Sequence, residues 1–122
     1  MRVLCCGDRF WTSYEIIRRE LEKLDDYTVI IEGCAKGADS ISGYIARQLN
    51  YEVLEFPANW DKYGRAAGPI RNKQMLDEGK PDLVLAFHSD IKRSKGTKNM
   101  IEQSKKRGIK VILIEEWQTC MV

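Results

Sequence analysis

Five short apolar runs, each separated from the next by a helix-spaced pattern, constrain this chain more than any other feature. The runs are Arg2–Cys5, Thr28–Glu32, Tyr51–Phe56, Leu83–Phe87 and Lys110–Ile114. They are rich in Val, Ile, Leu and Tyr, and several are continuous rather than alternating. Strands of a parallel sheet covered on both faces read this way. Between them the spacing predicts four helices. The first covers Ser13–Leu24, with Tyr14, Ile17, Leu21 and Leu24 on one face and a Thr12/Glu15 capping box. The second covers Ala38–Leu49, with Asn50 as a left-handed cap. The third covers Pro69–Glu78, with Pro69 at the first helical position and Gly79 and Pro81 as the stop. The fourth covers Thr97–Arg107 and ends at Gly108. Right-handed crossovers then imply a Rossmann-like, three-layer α/β sandwich with a five-stranded, mainly parallel sheet.

With 122 residues the chain has room for one domain, residues 1–122, and not for two. The final WQTCMV reads as a short tail. Twenty basic residues against eighteen acidic ones leave a formal charge of +2, which gives no general attraction to nucleic acid or anionic membrane. No apolar run approaches the roughly 18 residues of a membrane span, and MRVLCCGDRF turns polar too early for a signal peptide. The expectation is a cytoplasmic protein. Cys5, Cys6, Cys34 and Cys120 contain no C-x-x-C pair, so they are read as reduced thiols and no metal site is expected.

In such a sheet, ligands sit beyond the carboxyl ends of the strands. That rule selects CGDRFWT, EGCAKGADS, PANWDKYGRAAGPIRN and HSDIKRSKGT. In the second, Gly33 and Gly37 flank a tight turn into a helix whose free amides would favour an anion. Asp39 and Ser40 there either cap the helix or meet a ribose or base. In the fourth, Ser94, Gly96 and Thr97 precede another helix, and Thr97 suits both a cap and a phosphate contact. Lys92, Arg93, Lys95 and Lys98 add local positive charge, although charge runs are commonly solvated faces.

The third loop is the most unusual. Gly68 would lie at the helix cap. Arg71 lies on a row with Ala67 and Met75, where its planar fork either holds a phosphate or simply buries its stem. Trp60 and Tyr63 are candidates for stacking on a base, or for the core. In the first loop Arg9 is placed to touch ligand, and His88 ends the fourth strand facing the same crevice.

These motifs together resemble the YpsA-related branch of the SLOG superfamily. The resemblance rests on Gly7-Asp8-Arg9-Phe10, on Glu32 to Asp39, on Phe56 to Trp60 and on Tyr63 to Asn72, the most specific run. Ala86-Phe87 and Gly96-Thr97 complete it, so that it spans nearly the whole chain. Members are Rossmann-like domains regarded as binding nucleotides or nucleotide-derived ligands. Many occur in phage and bacterial genomes. The resemblance adds Gly7, Lys36 and Asn72 to the ligand-binding residues, implies no further cofactor, and allows a homodimer.

A more distant similarity is to the LOG (lysine decarboxylase-like) phosphoribohydrolases, which cleave the N-glycosidic bond of nucleoside monophosphates. Arg71 and Gly96-Thr97 match their helix arginine and part of their P-G-G-x-G-T-x-x-E motif. The P-G-G segment is replaced by His88-Ser89-Asp90 and a longer loop, and the glutamate position is Met100. Glu102 falls about 200° round the helix from it.

Three readings follow. In the first the chain is a sensor or sequestering module, with phosphate on Arg71 and the helix ends, ribose on Asp39 and the base beside Trp60 or Tyr63. In the second it is a nucleotide N-glycosidase using a carboxylate among Asp8, Asp39 and Asp90. In the third it binds nucleic acid through the basic stretch from Lys92 to Lys110, against which the near-neutral charge argues.

Overall fold

A computed structural model describes residues 1–116; the WQTCMV tail and Cys120 lie outside the described residues. Strands β1 (Arg2–Gly7), β2 (Val29–Glu32), β3 (Glu52–Glu55), β4 (Leu83–Phe87) and β5 (Lys110–Ile114) form one sheet in the order β3-β2-β1-β4-β5. Every pairing is parallel; Val3 pairs with Ile30 on one side and with Leu83 on the other. The Rossmann-like sandwich expected from the sequence is the observed fold.

The continuous apolar strands split their side chains between two cores. Val3, Cys5, Ile30, Leu85 and Phe87 face helices α1 (Tyr14–Leu21) and α2 (Ala38–Gln48), where they meet Trp11, Ile17, Leu21, Ile41 and Ile45. Leu4, Cys6, Ile31, Val84 and Ala86 face the opposite layer, where they meet Met75, Leu76 and Met100. That layer is built from helices α4 (Ala67–Gln74) and α5 (Gly96–Lys106). Burial raises the thiol pKa of Cys5 to about 12 and pushes that of Cys6 well above its ordinary value, so both pack as small hydrophobes.

Local sequence sets the ends of the helices, and several differ from expectation. Ser13, not Thr12, caps α1: its hydroxyl accepts from the Ile16 amide, while its carbonyl accepts from the Trp11 indole. Helix α1 ends at Leu21 rather than Leu24. Asn50 does take the left-handed conformation, at φ 65°. Residues 60–66, read from sequence as loop, form a one-turn helix α3 (Trp60–Tyr63) and a 3₁₀ turn (Gly64–Ala66). The Asn59 side chain caps α3 by accepting from the Lys62 amide.

This lead-in starts α4 at Ala67, so Gly68 is its second residue rather than its cap. Pro69 is the third, still in the first turn, where a missing N–H costs nothing. The helical run does end at Gly79, one residue past the expected Glu78. It widens into a π-helical turn, Met75–Gly79, and reverses at Lys80 with φ 49°. The space above Gly79 explains its identity: a Cβ there would sit 3.0 Å from Ile31 on β2.

Candidate functional site

The sheet order reverses between β1 and β4, and a cleft of about 1060 Å³ opens there over their carboxyl ends. Buried Cys6, Met75 and Met100 form its apolar base. Gly7 is fixed by close approach: a Cβ would lie 2.8 Å from that of Ala38 and overlap the Phe87 carbonyl.

Arg71 projects from α4 across the cleft to the β2–α2 turn. Its Nη1 donates to the Gly33 carbonyl, and its Nε donates to Asn72 Oδ1 at 3.2 Å. Two of its five N–H donors are thereby used. A Cβ at Gly33 would stand 2.5 Å from Nη1 and 2.9 Å from Asp39 Oδ2, so glycine is what admits the guanidinium. Asn72 is buried, and its amide donates to the Gly96 carbonyl at 3.2 Å and to Asn99 Oδ1 at 3.1 Å. It thus couples Arg71 to the first turn of α5.

Asp39 lines the cleft beside Arg71 and is only 5% exposed. Desolvation raises its pKa from the ordinary 3.8 to about 7, opposed by the Arg71 charge and reinforced by Glu32. Bonds from the Ala35 and Gly33 amides also oppose the rise. His88 is buried at the end of β4, and its Nδ1 accepts from the Asp90 amide at 3.0 Å. Both helix starts are less open to an anion than the sequence implies. The Ala38 amide of α2 is taken by the Asp8 carbonyl. At α5 the cap position is Lys95, and the Ser94 hydroxyl just before it, rather than Thr97, accepts from the Thr97 and Lys98 amides.

A model of the YspA, cpYpsA-related SLOG family matches residues 1–63. Gene 61 protein of Mycobacterium phage D29 is 35% identical over 120 residues, covering 91% of this chain and 94% of that protein. The chain belongs to this SLOG family. The X-ray structure of DNA processing protein A (DprA) from Streptococcus pneumoniae is similar in fold, with a TM-score of 0.70 at 19% identity. The similarity covers 95% of this chain and 50% of that one, so the chain spans half the length of DprA.

Most of the residues picked out from the loops and motifs of the sequence meet in the cleft. Gly7, Arg9, Asp39, Trp60, Gly68, Arg71, Asn72, His88, Ser94, Gly96 and Thr97 all line it. Gly33 lies behind Arg71. Lys36, Gly37 and Ser40 do not line the cleft; they border a second, shallower groove of about 620 Å³. Ser40 also donates its hydroxyl to the Ala35 carbonyl at 2.6 Å. Of the three carboxylates considered, Asp8 accepts from the Phe10 amide and Asp90 pairs with Arg93, which leaves Asp39 as the shielded one. Tyr63 stays outside both hollows, whereas Trp60 is 59% exposed at the cleft edge rather than in the core. The basic stretch is partly neutralised, since Arg107 also pairs with Asp77.

Arg93 and Lys95, two of the four cations expected to add positive charge, do line the cleft, and sequence reasoning missed Arg65 as a further one. It also missed Glu32, Cys34 and Glu55, whose ligating atoms lie within 4.8 Å of one another. Only the β2–β3 register, which pairs Glu32 with Glu55, brings them together. The Cys34 amide donates to Glu32, and Arg47 pairs with Glu55 at 3.3 Å. Among the described residues, no helix is long and apolar enough to cross a membrane.

Proposed function

We propose that the chain binds a nucleotide-derived ligand in the β1–β4 cleft, as a sensor or sequestering module. The observation that carries this reading is the Arg71 guanidinium, braced by the Gly33 carbonyl and Asn72 with donors still free toward the cleft. A fixed cationic fork over an apolar base suits a phosphate oxygen, and bracing lowers the entropy lost on binding. His88 and Thr97 offer polar contacts for sugar or phosphate, and Trp60 offers a face for a base.

Isothermal titration with AMP, ADP, ADP-ribose, NAD and cyclic nucleotides tests it. Saturable binding that Arg71→Ala weakens by about 1.5–3 kcal/mol supports the assignment. An affinity unchanged by that substitution rejects it.

A second reading, hydrolysis of an N-glycosidic bond, is favoured by one observation: the shielded Asp39, with a pKa of about 7 beside the cleft. Such a carboxyl is suited to general acid–base work near neutral pH. Chromatography of the bound nucleotide decides it. Release of free base, abolished in Asp39→Asn, would make the chain a hydrolase, and intact nucleotide after long incubation would leave it a binder.

A further inference from the structure

We infer that the ligand is a dinucleotide, two nucleosides joined through a pyrophosphate, with its second base in the groove beside the cleft. This inference rests on the reading of the cleft as a nucleotide site. The groove and the cleft are neighbours: Arg9 and Phe10 line both, so the ridge they form is a shared wall. A cleft of about 1060 Å³ already fills the usual range of about 300–1,000 Å³ for small-molecule sites. The groove adds about 620 Å³ along the same ridge.

The chemistry of the groove matches the far half of such a ligand. Phe10 is 75% exposed, Tyr14 51% and Tyr44 53%, an unusual amount of aromatic surface to leave uncovered. Tyr14 and Tyr44 stand edge to face, with ring centroids 6.0 Å apart, and leave ring surface open to a planar group. The lining includes Arg9 and Lys36 and no carboxylate. Neither cation enters an ion pair among the described residues. Arg9 lies over the Phe10 ring, 5.6 Å from its centroid, at the point where the bridging phosphates would cross the ridge. Two cations, stacking faces and an absence of negative charge select a linked nucleotide over a peptide or a metal ion.

The test compares AMP with diadenosine pyrophosphate, and GMP with diguanosine pyrophosphate, by titration calorimetry on the wild-type chain, Tyr44→Ala and Arg71→Ala. In the matching pair the dinucleotide should bind at least about tenfold tighter than the mononucleotide. Loss of one stacking face in Tyr44→Ala should weaken the dinucleotide by about 5- to 150-fold. Mononucleotide affinity should stay within about twofold, because Tyr44 does not line the cleft. Arg71→Ala should weaken both. Circular dichroism checks that the exposed Tyr44 substitution leaves the fold intact, and Tyr14→Ala provides an independent second variant.

Equal affinities for mono- and dinucleotide, both reduced by Arg71→Ala, would overturn the dinucleotide and keep the nucleotide site. Absence of binding by all four compounds would overturn both. A single-stranded oligonucleotide that binds more tightly than either dinucleotide, with affinity falling steeply in salt, would also overturn it in favour of a polymer.

Discussion

Replacing Asp39 by Asn should change how stability depends on pH, with no ligand required. The carboxyl is 5% exposed, and desolvation lifts its pKa to about 7. In the unfolded chain it returns to an ordinary 3.8. Between those values the native state holds a proton that the unfolded state has released. Native protein therefore binds more protons, and its stability falls as pH rises through that window. Across the full gap the loss is about 4 kcal/mol, a large share of the roughly 5–15 kcal/mol that holds a small domain folded. Asn cannot ionise and so lacks this loss, though fitting its amide hydrogens near Arg71 costs about 1–3 kcal/mol at every pH. Urea unfolding of both proteins at pH 4, 5, 6, 7 and 8 gives the difference directly, and groups common to both cancel. Relative to wild type, Asp39→Asn should gain about 4 kcal/mol from pH 4 to pH 8. Parallel profiles would refute the argument, because they would mean Asp39 is ionised throughout and sufficiently paired.

Gly33→Ala should weaken nucleotide binding about as much as Arg71→Ala, since its methyl would stand 2.5 Å from Nη1 and displace the guanidinium; unchanged affinity in titration would show that the bracing is dispensable. Affinity for a dinucleotide pyrophosphate, whose phosphates do not titrate near neutral pH, should rise as pH falls through about 7 and Asp39 loses its negative charge. The same titration on Asp39→Asn should be flat. Gly7→Ala should destabilise the fold by about 1–3 kcal/mol in urea, because its Cβ would meet Ala38 and the Phe87 carbonyl.

The strands and layers were legible because a parallel sheet leaves a plain record. Leu83–Phe87 and Lys110–Ile114 match their observed limits: the first is buried throughout, and the second, an edge strand exposed at Lys110 and Ile112, is bounded by Gly108 before it and by Glu115 and Glu116 after it. The motif loops were legible too, because the carboxyl-end rule needs only strand order. What failed was the choice between neighbouring groups that are each able to hold a first-turn amide. Thr12 and Ser13 are both able to cap, as are Ser94 and Thr97, and spacing does not rank them; Ser13 holds the cap position of α1, and Ser94 accepts the first-turn amides of α5. The Ala38 amide looked free because its acceptor, the Asp8 carbonyl, is thirty residues away in sequence. Likewise Asn72, expected at the ligand, spends its amide on Gly96 and Asn99, partners that only the packing of α4 on α5 supplies.

The seam that makes the cleft joins the two ends of the chain's history. Strand β1 is made first, yet its partner β4 lies about eighty positions later, with Val3 facing Leu83 and Gly7 facing Phe87. Until that partner emerges, the leading strands can assemble only one side of the sheet, and Gly7 has no Phe87 to close against. Long-range parallel pairing is slow because loop entropy must be lost before contacts repay it. A ligand of the cleft therefore finds its site only in chains that have passed this closure. It should slow unfolding and leave the rate of folding nearly unchanged, and a fragment ending at residue 63 should be blind to it.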